Sequence, residues 1–261
     1  MSISSLDNYI AASHQLLTWT KTTSITTVAN TWYSLFDVAG NPSGTLAGTS
    51  TTAGVVPTTT TAGFPLINTN TGNYYLTRVD YANTVACRIQ VFDCLWKGGA
   101  YNFNSSVTLS AQPDYSGRLP GTNYVGLEIW LETTANFTGN QSIAVTYTDQ
   151  SGNTGHTTGT VATGVAPKKY AMLNLPLSAG DTGLQKIESV VSSVATVGTF
   201  NVLVLRPLWT GRVPIANFGD VHGLDRTGMP QIYQTSALYA AVMTDSTASG
   251  IPDLLLEVAS A

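Results

Sequence analysis

Charged side chains are scarce in this sequence. Asp, Glu, Lys and Arg make up 10% of its 261 residues, against roughly 25% in an average globular domain. A monomer keeps its surface hydrated with such side chains, so this chain must use Thr, Ser, Asn and Gly instead or cover surface by contact with other chains. We therefore expect it to self-associate.

Positive charge is particularly scarce, because 11 Lys and Arg stand against 15 Asp and Glu, which gives a net charge of −4. Affinity for nucleic acid depends on clustered Lys and Arg that neutralise phosphates. The adjacent basic pair Lys168 and Lys169 is expected at a solvated strand entrance rather than in a phosphate patch. Direct nucleic-acid binding is therefore not expected.

Long apolar runs are absent from the sequence. Residues 1–7 have neither the basic start nor the apolar segment of a signal peptide, and no stretch reaches the roughly 18 apolar residues of a membrane span. We expect a protein that is made and used in the cytosol and has no membrane partner. The formal glycosylation sequons at Asn104, Asn136 and Asn140 then follow from an Asn- and Thr-rich composition.

Cysteine is limited to Cys87 and Cys94, which lie in one strand-like run. Their odd spacing places them on opposite faces of a strand and about 23 Å apart, which is too far for a disulfide. We predict two buried, reduced thiols that pack as small apolar groups.

Familiar catalytic motifs are missing as well. The sequence has no Gly-x-Ser-x-Gly, P-loop, dinucleotide fingerprint, His-Glu-x-x-His or paired Cys-x-x-Cys. The chain is therefore predicted not to be an enzyme, to need no cofactor, and to have no catalytic, cofactor-binding or metal-binding residues.

Two loops could still carry chemistry. Asp181 lies in an Asp-Thr-Gly triplet like that of aspartic proteases, but one triplet supplies only one of the two carboxylates required, and its polar flanks predict a turn. Asp220, His222 and Asp225 are close in sequence and could bind a hard cation or zinc. A single histidine among turn-forming residues favours an ordinary loop, and ion binding there stays open.

One predicted strand carries two further acids. Glu128 and Glu132 share a strand face but lie about 13 Å apart, beyond the roughly 5–9.5 Å of glycosidase carboxylate pairs. Trp130 lies between them and, with Tyr124, could stack on sugars or sit against a neighbouring subunit. The second role is the commoner one for Trp.

The first part of the chain contains predicted helices and an arm. Ser5 caps a short helix over 6–12. A second helix is predicted over 27–38, because a Gly-Asn-Pro stop signal follows it. Residues 43–61 are rich in Thr, Gly, Ala and Ser and are predicted to be an arm that a neighbour must order.

Strands dominate the middle of the chain. Residues 124–132 alternate most clearly, with Val125, Leu127, Ile129 and Leu131 on the face predicted to meet the core. Gly- and Asn-rich turns without intervening helices favour an antiparallel β-sandwich or jelly roll over a βαβ enzyme scaffold. The other predicted strands are 74–81, 85–96, 142–148, 169–175, 184–194 and 199–205.

The last part of the chain is less regular. Residues 211–233 are predicted to form a loop and 233–244 a helix or a strand. Residues 254–258 are predicted to close the sandwich or to extend a sheet edge of a neighbour. We therefore expect a mainly β fold in three parts: a helical and Thr/Gly-rich arm (1–66), a β-sandwich core (67–210), and a C-terminal loop and tail segment (211–261) that packs on the core or on a neighbour.

Six blocks of sequence combine turns with strand edges: MSISSLDN (1–8), WY (32–33), AGNP (39–42), VTYTDQSGNTG (145–155), PLSAGDTGLQKIESV (176–190) and VLRPL (204–208). They resemble a group of virion structural proteins of tailed bacteriophages. The shared motifs are turns and strand edges without chemistry, so no functional residue carries over. The resemblance implies a head or decoration (cement) protein first, then a neck or tail component, without an enzymatic role.

These observations together predict a virion structural protein that acts through self-assembly and shell contacts. Its expected partners are copies of itself and other virion proteins, the major capsid protein among them, and its expected location is the virion, assembled in the host cytoplasm. The alternative is a neck or tail component or a host-attachment module that binds a glycan. The position in the particle and the oligomer symmetry stay open.

Overall fold

The structure is a computed structural model that describes residues 3–45, 50–102, 106–163, 167–193 and 198–261. Within these ranges it contains the helices α1 (Leu6–Ala11) and α2 (Leu224–Thr227) and the 3-10 turns Ser116–Arg118 and Pro120–Thr122. None of the helices in these ranges has the length and apolar character of a membrane-spanning helix. Met1, Ser2, residues 46–49 of the predicted arm, Asn104 and Val194 lie outside the described residues.

Short and long strands make up most of the rest. The first nine are β1 (Ser13–Lys21), β2 (Trp32–Ser34), β3 (Gly40–Asn41), β4 (Ser50–Val55), β5 (Tyr74–Asn83), β6 (Cys87–Asn102), β7 (Ser106–Thr108), β8 (Glu128–Thr133) and β9 (Ser142–Asp149). They are followed by β10 (His156–Thr157), β11 (Val161–Ala162), β12 (Ala171–Leu175), β13 (Leu184–Ser193), β14 (Thr199–Val213), β15 (Phe218–His222), β16 (Gln231–Ile232), β17 (Leu238–Thr244) and β18 (Asp253–Ser260).

These strands form three antiparallel sheets, so the predicted mainly β, antiparallel fold class is confirmed. The terminal sheet has the order β15-β5-β18-β1-β3, with β16 also paired to β5. The distal sheet has the order β10-β9-β13-β7, with β11 also paired to β9. The central sheet has the order β14-β8-β12-β2-β17-β6-β4.

The central sheet closes on itself because β14 also pairs with β6. β6 is 16 residues long and β14 is 15. They pair from Thr199 opposite Asn102 to Val213 opposite Cys87. The other edge of β14 pairs with β8, and the other edge of β6 pairs with β17. Pairing therefore runs around a ring made of β6, β14, β8, β12, β2 and β17.

Three hydrophobic cores follow from this arrangement. The terminal core lies between the terminal sheet and one half of the central sheet, and the distal core between the distal sheet and the other half. The ring core fills the inside of the ring with Phe36, Phe64, Phe92, Cys94, Trp130, Met172, Leu203, Leu205, Ala237, Tyr239 and Ala241. Because side chains alternate along a strand, β6 sends Ile89 to the terminal core and Phe92 to the ring core.

The N-terminal helix is confirmed, and the second predicted helix is wrong. α1 begins after Ser5, whose hydroxyl oxygen accepts a hydrogen bond from the backbone N–H of Asn8 at 3.2 Å. Within 27–38 the chain instead forms β2, which joins β12 to β17 in the ring. Pairing on both edges satisfies the backbone of β2, and this tertiary contact outweighs the helical spacing of its buried apolar side chains.

The predicted arm is ordered by its own chain where the structure describes it. β4 pairs with β6, and the Trp96 indole N–H donates to the Ala53 carbonyl at 3.1 Å. Gly54 lies so close to the Trp96 ring that a Cβ would come within 2.2 Å of it. Thr59 is buried, and its hydroxyl accepts the Ile67 N–H at 2.5 Å. A neighbouring molecule is therefore not needed to order residues 50–61.

The C-terminal part is more regular than predicted. The expected loop over 211–233 contains the end of β14 together with β15, α2 and β16. β15 and β16 form because they pair with β5 of the terminal sheet. Residues 233–244 contain a strand, β17. β18 pairs with β1 and β5 of the same chain, so it closes its own sheet. The division at 66 and 210 stays a prediction, although strands from its first and last parts pair in the terminal sheet.

Candidate functional site

Two polar groups are buried at the ring. Asp93 is fully buried and accepts hydrogen bonds from Arg118, from the Ser236 hydroxyl at 2.6 Å and from the Ala237 N–H at 3.0 Å. A second guanidinium, that of Arg206, lies 3.6 Å from the same carboxylate. Burial lowers the pKa of Arg206, and the attraction of Asp93 opposes this shift. One acid therefore pairs with two cations, of which Arg118 is buried and Arg206 is partly buried.

The second group is centred on Glu132, which is also fully buried. Its carboxylate accepts hydrogen bonds from the Tyr239 hydroxyl and from the Asn201 amide at 2.9 Å, and the Lys97 amine lies 3.6 Å away. Burial raises the pKa of Tyr239 well above its usual value. Both groups have their partners inside the protein and little solvent access, so they fit a role in fixing the packing of the ring.

Trp130 and Glu128 do not form an exposed binding face. The strand predicted over 124–132 begins only at Glu128, and Val125, which was expected to face the core, is 50% exposed. The ring also covers the face of β8 that was expected to be open, so Trp130 is 4% exposed. Its indole N–H donates to Glu128 at 2.7 Å, and its ring makes edge contacts with Trp32 and Phe92. Trp130 therefore cannot stack on a sugar, and it does not sit against a neighbouring subunit.

Asp181 lies in a cluster that the sequence did not predict. The His156 Nδ1 atom lies 2.7 Å from an Asp181 carboxylate oxygen, and its Nε2 atom faces Asp149 at 3.9 Å. The Tyr147 hydroxyl also donates to Asp181, at 2.6 Å. Among the described residues, Asp149, His156 and Asp181 are the one set of three potential metal ligands that lie within 4.8 Å of one another.

The geometry of this cluster favours a polar link between two turns over a metal site. Each ring nitrogen of His156 faces a different carboxylate, whereas a metal ion needs one nitrogen and both acids on the same side. Asp149 accepts the N–H groups of Ser151 and Asn153, each at 2.8 Å, so it mainly holds its own turn. The partner of Asp181 is a histidine and not a second acid, unlike the shared-proton pair of an aspartic protease.

The predicted Asp220, His222 and Asp225 loop does not bring three ligands together in the described structure. The His222 Nδ1 atom accepts the Trp209 indole N–H at 2.9 Å, and its Nε2 atom lies 3.2 Å from the Tyr81 hydroxyl. Burial lowers the pKa of His222. Asp220 pairs with Arg226 at 3.2 Å. Both nitrogens of the imidazole are therefore used in packing.

The two cysteines are buried and free, as predicted. Cys87 belongs to the terminal core and Cys94 to the ring core, on opposite faces of β6. Burial raises the pKa of the Cys87 thiol to about 11 and that of Cys94 to about 12. Neither thiol is therefore poised as a nucleophile.

The N-terminal apolar surface consists of Leu6, Ile10 and Leu16, which are 65%, 68% and 60% exposed. α1 buries none of its own residues. It is held over the outer face of the terminal sheet by the Tyr9 hydroxyl, which donates to Glu257 at 2.7 Å. Leu16 is the register partner of Glu257, so the three apolar side chains lie in the same region.

The edge surface lies at the β15 edge of the terminal sheet, whereas the N-terminal apolar surface lies over β1 and the middle strand β18. Ile215, Phe218 and Val221 are 63%, 39% and 46% exposed. Phe218 and Val221 are three residues apart in β15, so they flank its outer edge from opposite faces of the sheet. In the described part of the chain, β15 pairs with β5 and ends the sheet. Its outer backbone groups are therefore open to pairing with another chain. Nothing in the sequence pattern distinguished these exposed apolar residues from core residues.

The fold is thus that of an antiparallel β protein with a closed central ring flanked by two further sheets. No protein-family model matches the chain, and no curated protein sequence matches it either. Searches of solved structures find the VP2 subviral particle of infectious bursal disease virus, at 12% identity and a TM-score of 0.19, with 95% of this chain and 79% of that chain covered. A structure of the Gx strain of the same virus gives 11% identity, a TM-score of 0.17 and coverage of 95% and 80%. Values this low do not establish a common fold.

Proposed function

We propose that this chain is a non-enzymatic structural protein of a virus particle. Within that role, we propose a capsid-associated decoration (cement) or other head protein that associates with copies of itself and with the major capsid protein. Its place is the virion, and it assembles in the host cytoplasm. The resemblance of the six sequence blocks to tailed-phage virion proteins supports this proposal.

The observation that carries the proposal is the pair of exposed apolar surfaces. Exposed side chains of this size each gain about 1.5–3 kcal/mol when a partner fully buries them. A single contact of a few such residues gives weak binding, but many copies on a shell engage together, and the effective affinity rises with the number of contacts. Two surfaces at separate places on one sheet allow each copy to meet two neighbours.

The scarcity of charge supports the same role. With 10% charged residues, the chain has few of the Lys and Glu side chains that keep monomers apart. The most deeply buried ion pairs of the described residues, those of Asp93 and Glu132, lie at the ring, and we infer that they stabilise the fold rather than catalyse a reaction.

Sedimentation and shell binding test the proposal. We expect the purified chain to self-associate as its concentration rises and to bind shells of the major capsid protein that lack it. The double variant Leu6→Ser/Ile10→Ser should weaken self-association and shell binding. Its melting temperature should be unchanged, because Leu6 and Ile10 are exposed. Val191→Ser, at an apolar position on the distal sheet that is 42% exposed, is the matched control and should behave like the unmodified chain.

The outcomes separate the possible roles. A compact monomer at high concentration that does not bind shells would contradict the proposal. Self-association without shell binding would instead favour a neck or tail component. Turnover of a substrate by the isolated chain would overturn the non-enzymatic role.

A further inference from the structure

The arginines of this chain are unevenly paired. The chain has six arginines, and four of them lie within 4 Å of an aspartate oxygen. In the described residues, Arg88 and Arg212 have neither an ion pair nor a side-chain hydrogen bond. The four pairs are Arg78 with Asp80, Arg118 with Asp93, Arg206 with Asp93, and Arg226 with Asp220.

The two unpaired arginines lie directly opposite each other. Arg212 of β14 is the register partner of Arg88 of β6, and opposed residues of an antiparallel pair have Cβ atoms about 4.5–5.5 Å apart. Their sequence neighbours Cys87, Ile89 and Val213 belong to the terminal core. By alternation, both guanidinium groups project from the other face of the sheet.

Both side chains line one open cleft with a volume of about 370 Å³. Met243 of β17 is the register partner of Arg88 on its other side, so Met243, Arg88 and Arg212 form a continuous row along the cleft. Asp245 also lines the cleft, but it forms no ion pair with either arginine.

This arrangement is unfavourable without a counterion. Like charges directly opposite each other destabilise a sheet, and this chain has few charges to place. A guanidinium group presents its N–H donors as a planar fork that fits the oxygens of carboxylates and phosphates. An oxyanion between the two forks would remove the repulsion and accept hydrogen bonds from both.

We propose that Arg88 and Arg212 form a binding site for an oxyanion, either a phosphate group or a carboxylate. The site does not depend on the proposed function. Two sources could supply the anion: inorganic phosphate in solution, or a carboxylate of a second copy of this chain.

Thermal unfolding with inorganic phosphate tests the site. At equal ionic strength, phosphate should raise the melting temperature of the unmodified chain above its value in chloride by about 3 °C, if phosphate is at several times its dissociation constant. Arg88→Gln and Arg212→Gln should each abolish this shift. In chloride alone, each variant should melt at the same temperature as the unmodified chain or about 1 °C higher, because the repulsion is gone.

Two further variants sharpen the test. Arg78→Gln removes an exposed arginine that is already paired with Asp80, and it should keep the full phosphate shift. Asp245→Asn removes the one acid of the cleft and should enlarge the shift. The proposal is overturned if phosphate stabilises the chain no more than chloride does, or if the shift survives in the Arg88→Gln/Arg212→Gln double variant.

Sedimentation of the same double variant identifies the source of the anion. If a second copy supplies a carboxylate, the variant should associate more weakly and phosphate should compete with association of the unmodified chain. If the ligand is inorganic phosphate, neither the double variant nor added phosphate should change the association of the chain. Both results support the site, and they differ in where the anion comes from.

Discussion

Replacing Asp93 by Asn tests how the ring tolerates buried charge. The substitution keeps the size of the side chain and removes its negative charge. Asp93 is the shared partner of Arg118 and Arg206, so one change leaves two cations without their anion. The new amide would also point an N–H group where the carboxylate accepted hydrogen bonds.

The burial of these groups sets the size of the effect. Asp93 is 0% exposed and Arg118 is 5% exposed. Breaking a buried ion pair by removing one partner costs about 3–5 kcal/mol of unfolding free energy, which corresponds to a fall in melting temperature of about 10 °C for a chain of this size. Arg118 also donates to the carbonyls of Pro57 and Cys94, so its displacement would disturb the segment after β4 as well.

Thermal unfolding followed by circular dichroism gives the measurement. Asp80→Asn is the matched control, because Asp80 pairs with Arg78 at the surface, and it should change the melting temperature by no more than about 2 °C. Combining Asp93→Asn with Arg118→Met and Arg206→Met should recover part of the loss, because apolar groups can replace a buried ionic group at little cost. An Asp93→Asn variant as stable as the Asp80→Asn control would refute the reasoning.

Two other predictions concern stability. The Lys21 amine is buried and donates to the Val38 carbonyl at 3.0 Å, and burial lowers its pKa to about 8, against the raising effect of Asp37. In the window between this value and the ordinary lysine pKa, the unfolded chain binds more protons, so stability rises with pH. From pH 7 to pH 9.5 the unmodified chain should gain about 2 kcal/mol relative to Lys21→Met in urea unfolding, and a constant difference would contradict a shifted amine. Trp130→Ala should lower the free energy of unfolding by about 3–5 kcal/mol, because it leaves a cavity in the ring core. Trp130→Phe is the control and should cost less. A loss below about 1 kcal/mol for Trp130→Ala, in either urea or heat, would mean that Trp130 is not packed there.

The features that the sequence predicted correctly are those that depend on residues close together in the chain. The alternation along β8, the capped helix α1 and the buried free thiols of Cys87 and Cys94 could all be predicted, because each depends on side-chain direction or on a cap within a few residues. The same local reasoning predicted a helix over 27–38, where the backbone is held by strands far away in the chain.

The candidate sites were much less predictable. His156 and Asp181 are 25 residues apart, and Arg88 and Arg212 lie on strands that meet through the ring. No short-range spacing joins such residues. The exposed apolar side chains of the N-terminal apolar surface have the same composition as core residues, and only their positions outside the sheets distinguish them.

The sequence by itself determined that this is an antiparallel β protein with little charge and buried thiols, because strand periodicity, composition and spacing are properties of neighbouring residues. The tertiary structure alone decided that the central sheet closes into a ring, that Trp130 and Glu132 are buried within it, and which arginines are left without a partner. The physical reason is that closure of the ring depends on the pairing of β6 with β14, and burial, hydrogen bonding and charge pairing at these positions are set by strands that meet only when the ring is complete.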